Sequence, residues 1–201
     1  ALLRRLLPLV LVLLATQVSA SEPERPSRAD LQRALSLYEQ SVVRVRGSRA
    51  AGPGIIVGTE GQVLTSVSHV NLEAAQVEYG GRTLPATVVL ANAYLKVAVV
   101  AAPAGTYPAA AVKPNTGNLP GQWLIGIIPG KGKRKNTPAS ALARKAPAPF
   151  FDVDLALPPG SPLYDETGRL VAVSVQRKGR GCRALPLDVV RQQLATRVAT
   201  P

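Results

Sequence analysis

Residues 150–176 read FFDVDLALPPGSPLYDETGRLVAVSVQ. Two β-rich runs, 150–157 and 170–175, are separated by Pro158-Pro159-Gly160-Ser161-Pro162 and by a second turn at 165–168. Successive prolines fix φ and remove backbone donors, so the first connection belongs to neither a helix interior nor a paired central strand. The same cadence runs along the whole chain. Short apolar runs are punctuated by 17 Gly and 18 Pro among 201 residues, which argues for an all-β sandwich or barrel. The length allows one domain with a sizeable core, or two small barrels packed together.

The first 20 residues stand apart. Arg4 and Arg5 precede an apolar run over 6–15, and Val18-Ser19-Ala20 offers small residues for cleavage. This pattern predicts a secretory signal peptide over 1–20, with an uncleaved N-terminal anchor as the alternative. After cleavage no membrane span remains. Cys182 is the only cysteine, so no intramolecular disulfide can form. An exported chain without disulfides fits the bacterial periplasm, or secretion, better than an animal extracellular enzyme. Cys182 itself reads as a small core residue.

Residues 21–28 read as a flexible lead. Ser27 and Asp30 predict a capped helix through about Gln40, with Leu31, Ala34, Leu35 and Tyr38 on one face. Strands follow at 41–46, 52–58, 62–66, 77–79, 82–90 and 95–101, the fourth and fifth joined through Gly80-Gly81. Residues 29–102 therefore form the helix and a first barrel. Residues 103–118 carry no period and read as a linker. Residues 119–201 hold a second set of strands, from Trp123 to Leu185, and a closing helix over 187–197.

Several local motifs resemble those of the trypsin-like (chymotrypsin-fold) serine proteases, especially the HtrA (DegP-like) periplasmic branch. Gly52-Pro53-Gly54-Ile55-Ile56 followed by Gln62-Val63-Leu64-Thr65 is similar to the family's G-S-G-[F/I]-I and G-x-[I/V]-[V/L]-T hairpin. Gly121-Gln122-Trp123-Leu124-Ile125-Gly126 is similar to G-[D/E]-x-V-x-A-I-G, and Leu157-Pro158-Pro159-Gly160-Ser161-Pro162-Leu163 covers G-[N/D]-S-G-[G/S]-P-L. The resemblance spans about residues 30–197. It implies two six-stranded antiparallel β-barrels with a short N-terminal helix and a C-terminal helix, with no room for a PDZ domain.

The resemblance also locates the catalytic positions, and two of the three are replaced. The nucleophile position falls on Pro159, which lacks both a hydroxyl and the N–H that serves as one oxyanion donor. The acid position, D-[I/L]-A-[L/V]-[I/L], falls on Lys96 of Lys96-Val97-Ala98-Val99-Val100, a cation where the imidazolium needs an anion. The base position falls on His69, the only histidine, if a one-residue bulge precedes it. Without the bulge, Ser68 takes that place and the triad is wholly lost. Ser161 is the alternative nucleophile. No metal cluster is expected from one histidine and one distant cysteine, and no cofactor is implied. Asp152 and Asp154 share a strand face and read as partners of basic groups.

The chain carries 24 Lys+Arg against 12 Asp+Glu, a formal charge of +12. Two clusters concentrate it: Lys131, Lys133, Arg134 and Lys135, then Arg177, Lys178, Arg180 and Arg183. The resemblance places both in second-barrel loops, rimming the degenerate cleft. Such a rim suits a peptide or protein partner of acidic character, or an anionic envelope glycolipid, with general solubility charge as the alternative. Nucleic acid is disfavoured because aromatic stacking residues are scarce. The resulting expectation is an exported, catalytically inactive protease homologue that binds a ligand. Its alternatives are an active serine endopeptidase using Ser161 and His69, and a basic β scaffold binding polyanions.

Overall fold

The computed structural model describes residues 22–71 and 74–199, the side chains of the last two excepted. The signal-peptide expectation falls on residues outside this range. Helix α1 (Arg28–Ser41) starts where the sequence predicts. Ser27 Oγ accepts from Asp30 N, and Asp30 Oδ2 accepts from Ser27 N, a capping box at the first turn. Ala34 and Tyr38 carry its buried face into the core.

Strands β1 (Val42–Arg46), β2 (Ala51–Ile56), β3 (Gln62–Ser66), β4 (Gln76–Tyr79), β5 (Arg82–Pro85), β6 (Thr87–Asn92) and β7 (Val97–Ala101) form one antiparallel sheet. Its order is β5-β4-β1-β2-β3-β7-β6. This half has seven strands where six are expected, because Pro85 and Ala86 divide the run over 82–90. Proline offers no ladder donor, and Ala86 N still bonds along β4, to Ala75 O at 2.9 Å, before the chain changes partner to β7 at Thr87. Strand β7 starts at Val97, since a turn over 93–96 ends with Lys96 in the left-handed region at φ 62°.

Strands β8 (Trp123–Ile128), β9 (Thr137–Lys145), β10 (Phe151–Val153), β11 (Pro162–Tyr164), β12 (Leu170–Lys178) and β13 (Gly181–Pro186) close into a barrel of order β10-β13-β12-β11-β8-β9. Helix α2 (Leu187–Ala199) follows. Three apolar clusters hold the parts together. One fills the first sheet around Val45, Ile56 and Val100. One fills the barrel around Leu157, Phe151 and Leu163. The third joins the halves, bringing Leu64 and Val99 against Ile125, Tyr164 and Val173 beneath both helices. Burial of these aliphatic side chains, about 1.5–3 kcal/mol each, is the main attraction between the halves.

Two connections are more anchored than their composition predicts. The lead is held on the barrel: Trp123 Nε1 donates to Pro23 O at 3.1 Å, and the Arg25 guanidinium lies 5.1 Å from that ring's centroid. The linker is bonded to both halves. Ala110 N donates to Ile56 O at 2.8 Å, and Lys113 N and Leu170 N bond to Leu170 O and Ala111 O. Among the described residues, no helix is long and apolar enough to cross a membrane.

Candidate functional site

Topology gathers three connections at one end of the barrel. Strands β8 and β12 are both antiparallel to β11, so they run the same way. The loop over 129–136 after β8, the turn after β12, and the segment over 154–161 that enters β11 therefore share that end. Both basic clusters thus flank the segment that carries Pro159.

That segment is locked onto β12. The Pro158 carbonyl accepts from Ser161 Oγ at 2.6 Å, Ser174 Oγ at 2.6 Å and Ser161 N at 3.2 Å. Gly160 N donates to Ser174 O at 2.7 Å, and Ser161 N also reaches Ser174 Oγ at 3.0 Å. Ser161 is fully buried and spends its hydroxyl proton on a backbone carbonyl. It holds a turn, and no hydrogen bond joins it to His69. Pro159 has no N–H to offer an oxyanion. The amide two residues before it, Leu157 N, donates to Leu155 O at 2.8 Å. Both backbone donors that acyl-transfer chemistry needs at this loop are therefore missing or occupied. Leu157 instead fills the barrel beside Gly126, where an added Cβ would lie 2.7 Å from Leu157 Cδ1.

No bulge interrupts β3 itself. Strand β3 pairs without interruption, Gln62 to Ser66 against Ala101 to Val97, and its pairing with β2 is equally regular. The residues after it instead form a short 3₁₀ turn, Val67–His69. Ser68 stands third after Thr65, exposed, with its hydroxyl 2.8 Å from Ser66 Oγ. His69 is turned inward and buried. Thr65 Oγ1 donates to Pro53 O at 2.8 Å, so its oxygen accepts from His69 Nδ1–H, 3.1 Å away, and leaves Nε2 as the acceptor nitrogen. The imidazole lies over Gly52, where a Cβ would come within 2.2 Å of Cε1. Burial lowers its pKa below the ordinary histidine value; the Pro53 carbonyl opposes this and Arg44 adds to it. Lys96 meets this region through its backbone, accepting from Val67 N at 3.1 Å.

The two basic clusters differ in how far they are neutralised. In the second, Arg183 Nε donates to Asp152 Oδ1 at 3.0 Å, and Lys178 Nζ lies 3.7 Å from Asp152 Oδ2. Its hydrogen bond to the Asp152 carboxylate raises the Arg183 pKa. Arg177 reaches Gly179 O at 3.4 Å. Asp154 pairs with Arg144 at 2.5 Å. In the first cluster Lys131, Lys133, Arg134 and Lys135 are all exposed, and none has an ion pair among the described residues. Burial pushes the Cys182 thiol up to about 12, which makes it an inert core group.

Sequence reasoning missed Thr65 as the imidazole's partner and Ser174 as the anchor of the Pro158 carbonyl. The signal for Ser174 was its polar side chain within the apolar run of Leu170-Val171-Ala172-Val173-Ser174-Val175. A hydroxyl there needs a buried partner.

No protein-family model matches the chain, and no curated protein sequence does. Solved structures do. The Rv3671c protease in its inactive form aligns with a TM-score of 0.67 at 20% identity, over 87% of this chain and 98% of that one. An inactive serine-to-alanine mutant of Rv3671c from M. tuberculosis H37Rv aligns at 0.68 and 20% identity, over 89% and 98%. A serine endoprotease from Yersinia pestis aligns at 0.68 and 20% identity, over 84% of this chain and 66% of that one. With its two β halves, its short N-terminal helix and its closing C-terminal helix in this order, the chain has the fold of the trypsin-like serine proteases.

Proposed function

We propose that this chain is a catalytically inactive, exported homologue of the trypsin-like proteases that binds an acidic peptide or protein at the loop-bearing end of its second barrel. The observation that carries the first half is the state of the loop over 157–161. A proline replaces the nucleophile, the amide two residues before it, of Leu157, is spent on Leu155 O, and the nearby hydroxyl of Ser161 is buried and spent on Pro158 O. Ser68 at the base position and Lys96 at the acid position agree with it. An oxyanion-stabilising, nucleophile-activating constellation needs each of these groups in place.

The binding half is supported by the placement of Lys131 to Lys135 and Arg177 to Arg183 at one end of the barrel, where Asp152 pairs with Lys178 and Arg183 alone. Such a field attracts anions and weakens with salt over a Debye length of about 8 Å at physiological ionic strength. A folded sample treated with a fluorophosphonate probe is expected to stay unlabelled. Labelling that disappears in both Ser161→Ala and His69→Ala would overturn the inactive reading. A fluorescent poly-glutamate peptide is expected to bind at low salt and to lose most of its affinity when Lys131, Lys133, Arg134 and Lys135 are all changed to Gln. Unchanged affinity in that variant would remove the first basic loop from the site.

A further inference from the structure

The third apolar cluster, which joins the halves, is not completely filled. A groove of about 410 Å³, open to solvent along one side, lies between the outer face of the first sheet and helix α2. Its walls are aliphatic: Leu64 and Val99 from the sheet, Val57 and Val112 beside them, and Val190 and Leu194 from the helix. Water in an aliphatic void finds few of the two to four polar partners it needs. The volume lies in the range of small-ligand sites, roughly 300–1,000 Å³, which favour the seam between packed units.

This cavity is separate from the end that carries Pro159. The loop there touches β2 at Pro53 and β3 at Thr65, whereas the cavity is reached by Val57 and Gln62 at the other end of the same hairpin. Leu64 and Thr65 are neighbours on β3, but successive residues of a strand point to opposite faces, so the cavity and the loop lie on opposite sides of the sheet.

The mouth identifies the class of occupant. Val89, 38% exposed, forms part of it with Gln62 and Arg191. Arg197 donates to the carbonyl of Val89 from the next turns of α2. Arg191 pairs with Asp188, which already accepts from Thr116 N and Thr116 Oγ1. Two guanidinium groups against one carboxylate leave the rim positive. A polar, cationic rim around an aliphatic pocket suits a molecule with one apolar tail and an anionic head, and not the flat apolar patch of a protein partner.

We infer that the seam beneath α2 binds a single-chain anionic amphiphile, its alkyl tail between Leu64, Val99 and Val190 and its head at Arg191 and Arg197. This site is independent of the proposed function at the other end.

Isothermal titration with dodecanoate below its micelle concentration tests it, with lysophosphatidylglycerol as a second probe of the same chemistry from a lipid source. One saturable site per chain is expected for at least one probe, and the tighter one identifies the source. Val190→Trp should abolish binding by filling the cavity. Val89→Trp, at the exposed mouth, should do so without touching the core, so a folding failure of the first variant leaves the test intact. Arg197→Gln should weaken binding by roughly fivefold, the scale of an exposed ion pair. Failure of both probes to saturate, or unchanged binding in Val89→Trp with the fold intact by circular dichroism, would overturn the inference. So would dimerisation through this face that dodecanoate does not reverse, since a second copy would then be the occupant.

Discussion

Gly160 faces the carbonyl of Pro53 so closely that a Cβ on Gly160 would lie 2.2 Å from that oxygen. The contact crosses from the second barrel to the first and brings the loop of Pro159 against the hairpin that supports His69. Gly160 also has φ +88°, a conformation that side chains resist. Gly160→Ala is therefore expected to destabilise the fold by about 2–3 kcal/mol, combining backbone strain with a contact neither backbone can easily relieve. Urea unfolding monitored by far-ultraviolet circular dichroism measures it. A change under 0.5 kcal/mol would mean the two halves are not in contact here.

Gly52 and His69 are coupled through space. A methyl group at Gly52 meets the imidazole at 2.2 Å, while its other neighbours are not of that closeness. Gly52→Ala alone should push the ring off Thr65 and cost about 1–3 kcal/mol through a buried Nδ1–H left unpaired. His69→Ala removes the obstacle, so the double variant should be less destabilised than the sum of the singles. Strict additivity would place the imidazole elsewhere.

Acid should weaken the fold through the same imidazole. Burial depresses the folded pKa of His69 below its ordinary 6.5. The unfolded chain then binds a proton more readily than the folded one, so the stability contributed by neutral His69 is full above pH 6.5 and falls as the pH drops from there toward the folded value. His69→Gln should flatten that part of the stability profile. The measurement is the urea midpoint at pH 7.5 and pH 5.5 for both proteins; equal losses in the two would show that other groups carry the acid sensitivity.

Restoring one catalytic group should not restore catalysis. Pro159→Ser supplies a hydroxyl and an amide, yet the buried His69 is bonded to Thr65 and Lys96 offers no anion to orient it. Hydrolysis of a fluorogenic peptide library by Pro159→Ser is expected to stay at the uncatalysed background. Turnover above it would reveal a base other than the one the topology provides.

Local rules made much of this fold legible. Ser27 with Asp30 announced α1, and Gly80-Gly81, both at positive φ, announced the β4–β5 hairpin. The short runs between Gly and Pro correctly implied an all-β sandwich or barrel, and the family resemblance supplied the division into two β halves, of which the second closes into a barrel and the first is a seven-stranded sheet. What the sequence concealed depends on partners distant along the chain. The lead over 22–27 is polar, yet Trp123, about a hundred positions later, holds Pro23. The extra residue before His69 suggested a strand bulge, because a count of positions cannot tell a bulge from a 3₁₀ turn. Ser161 read chiefly as a turn serine, with the nucleophile as its alternative, and its burial and its bond to Pro158 O agree with the first role. The cavity beneath α2 left no trace in the sequence, since aliphatic residues look the same whether or not they touch.

The segment joining the two barrels is bonded as if it were a strand, with a parallel bridge between Val112 and Leu170. A domain hinge would have to break those backbone bonds before either half could swing. The halves are thus expected to lose structure in one cooperative step, and the amides of Ala110, Lys113 and Leu170 should exchange with solvent as slowly as those of the barrel itself. Any ligand gripping one barrel would then stabilise the other as much as its own, making the molecule a single thermodynamic unit despite its two-part architecture.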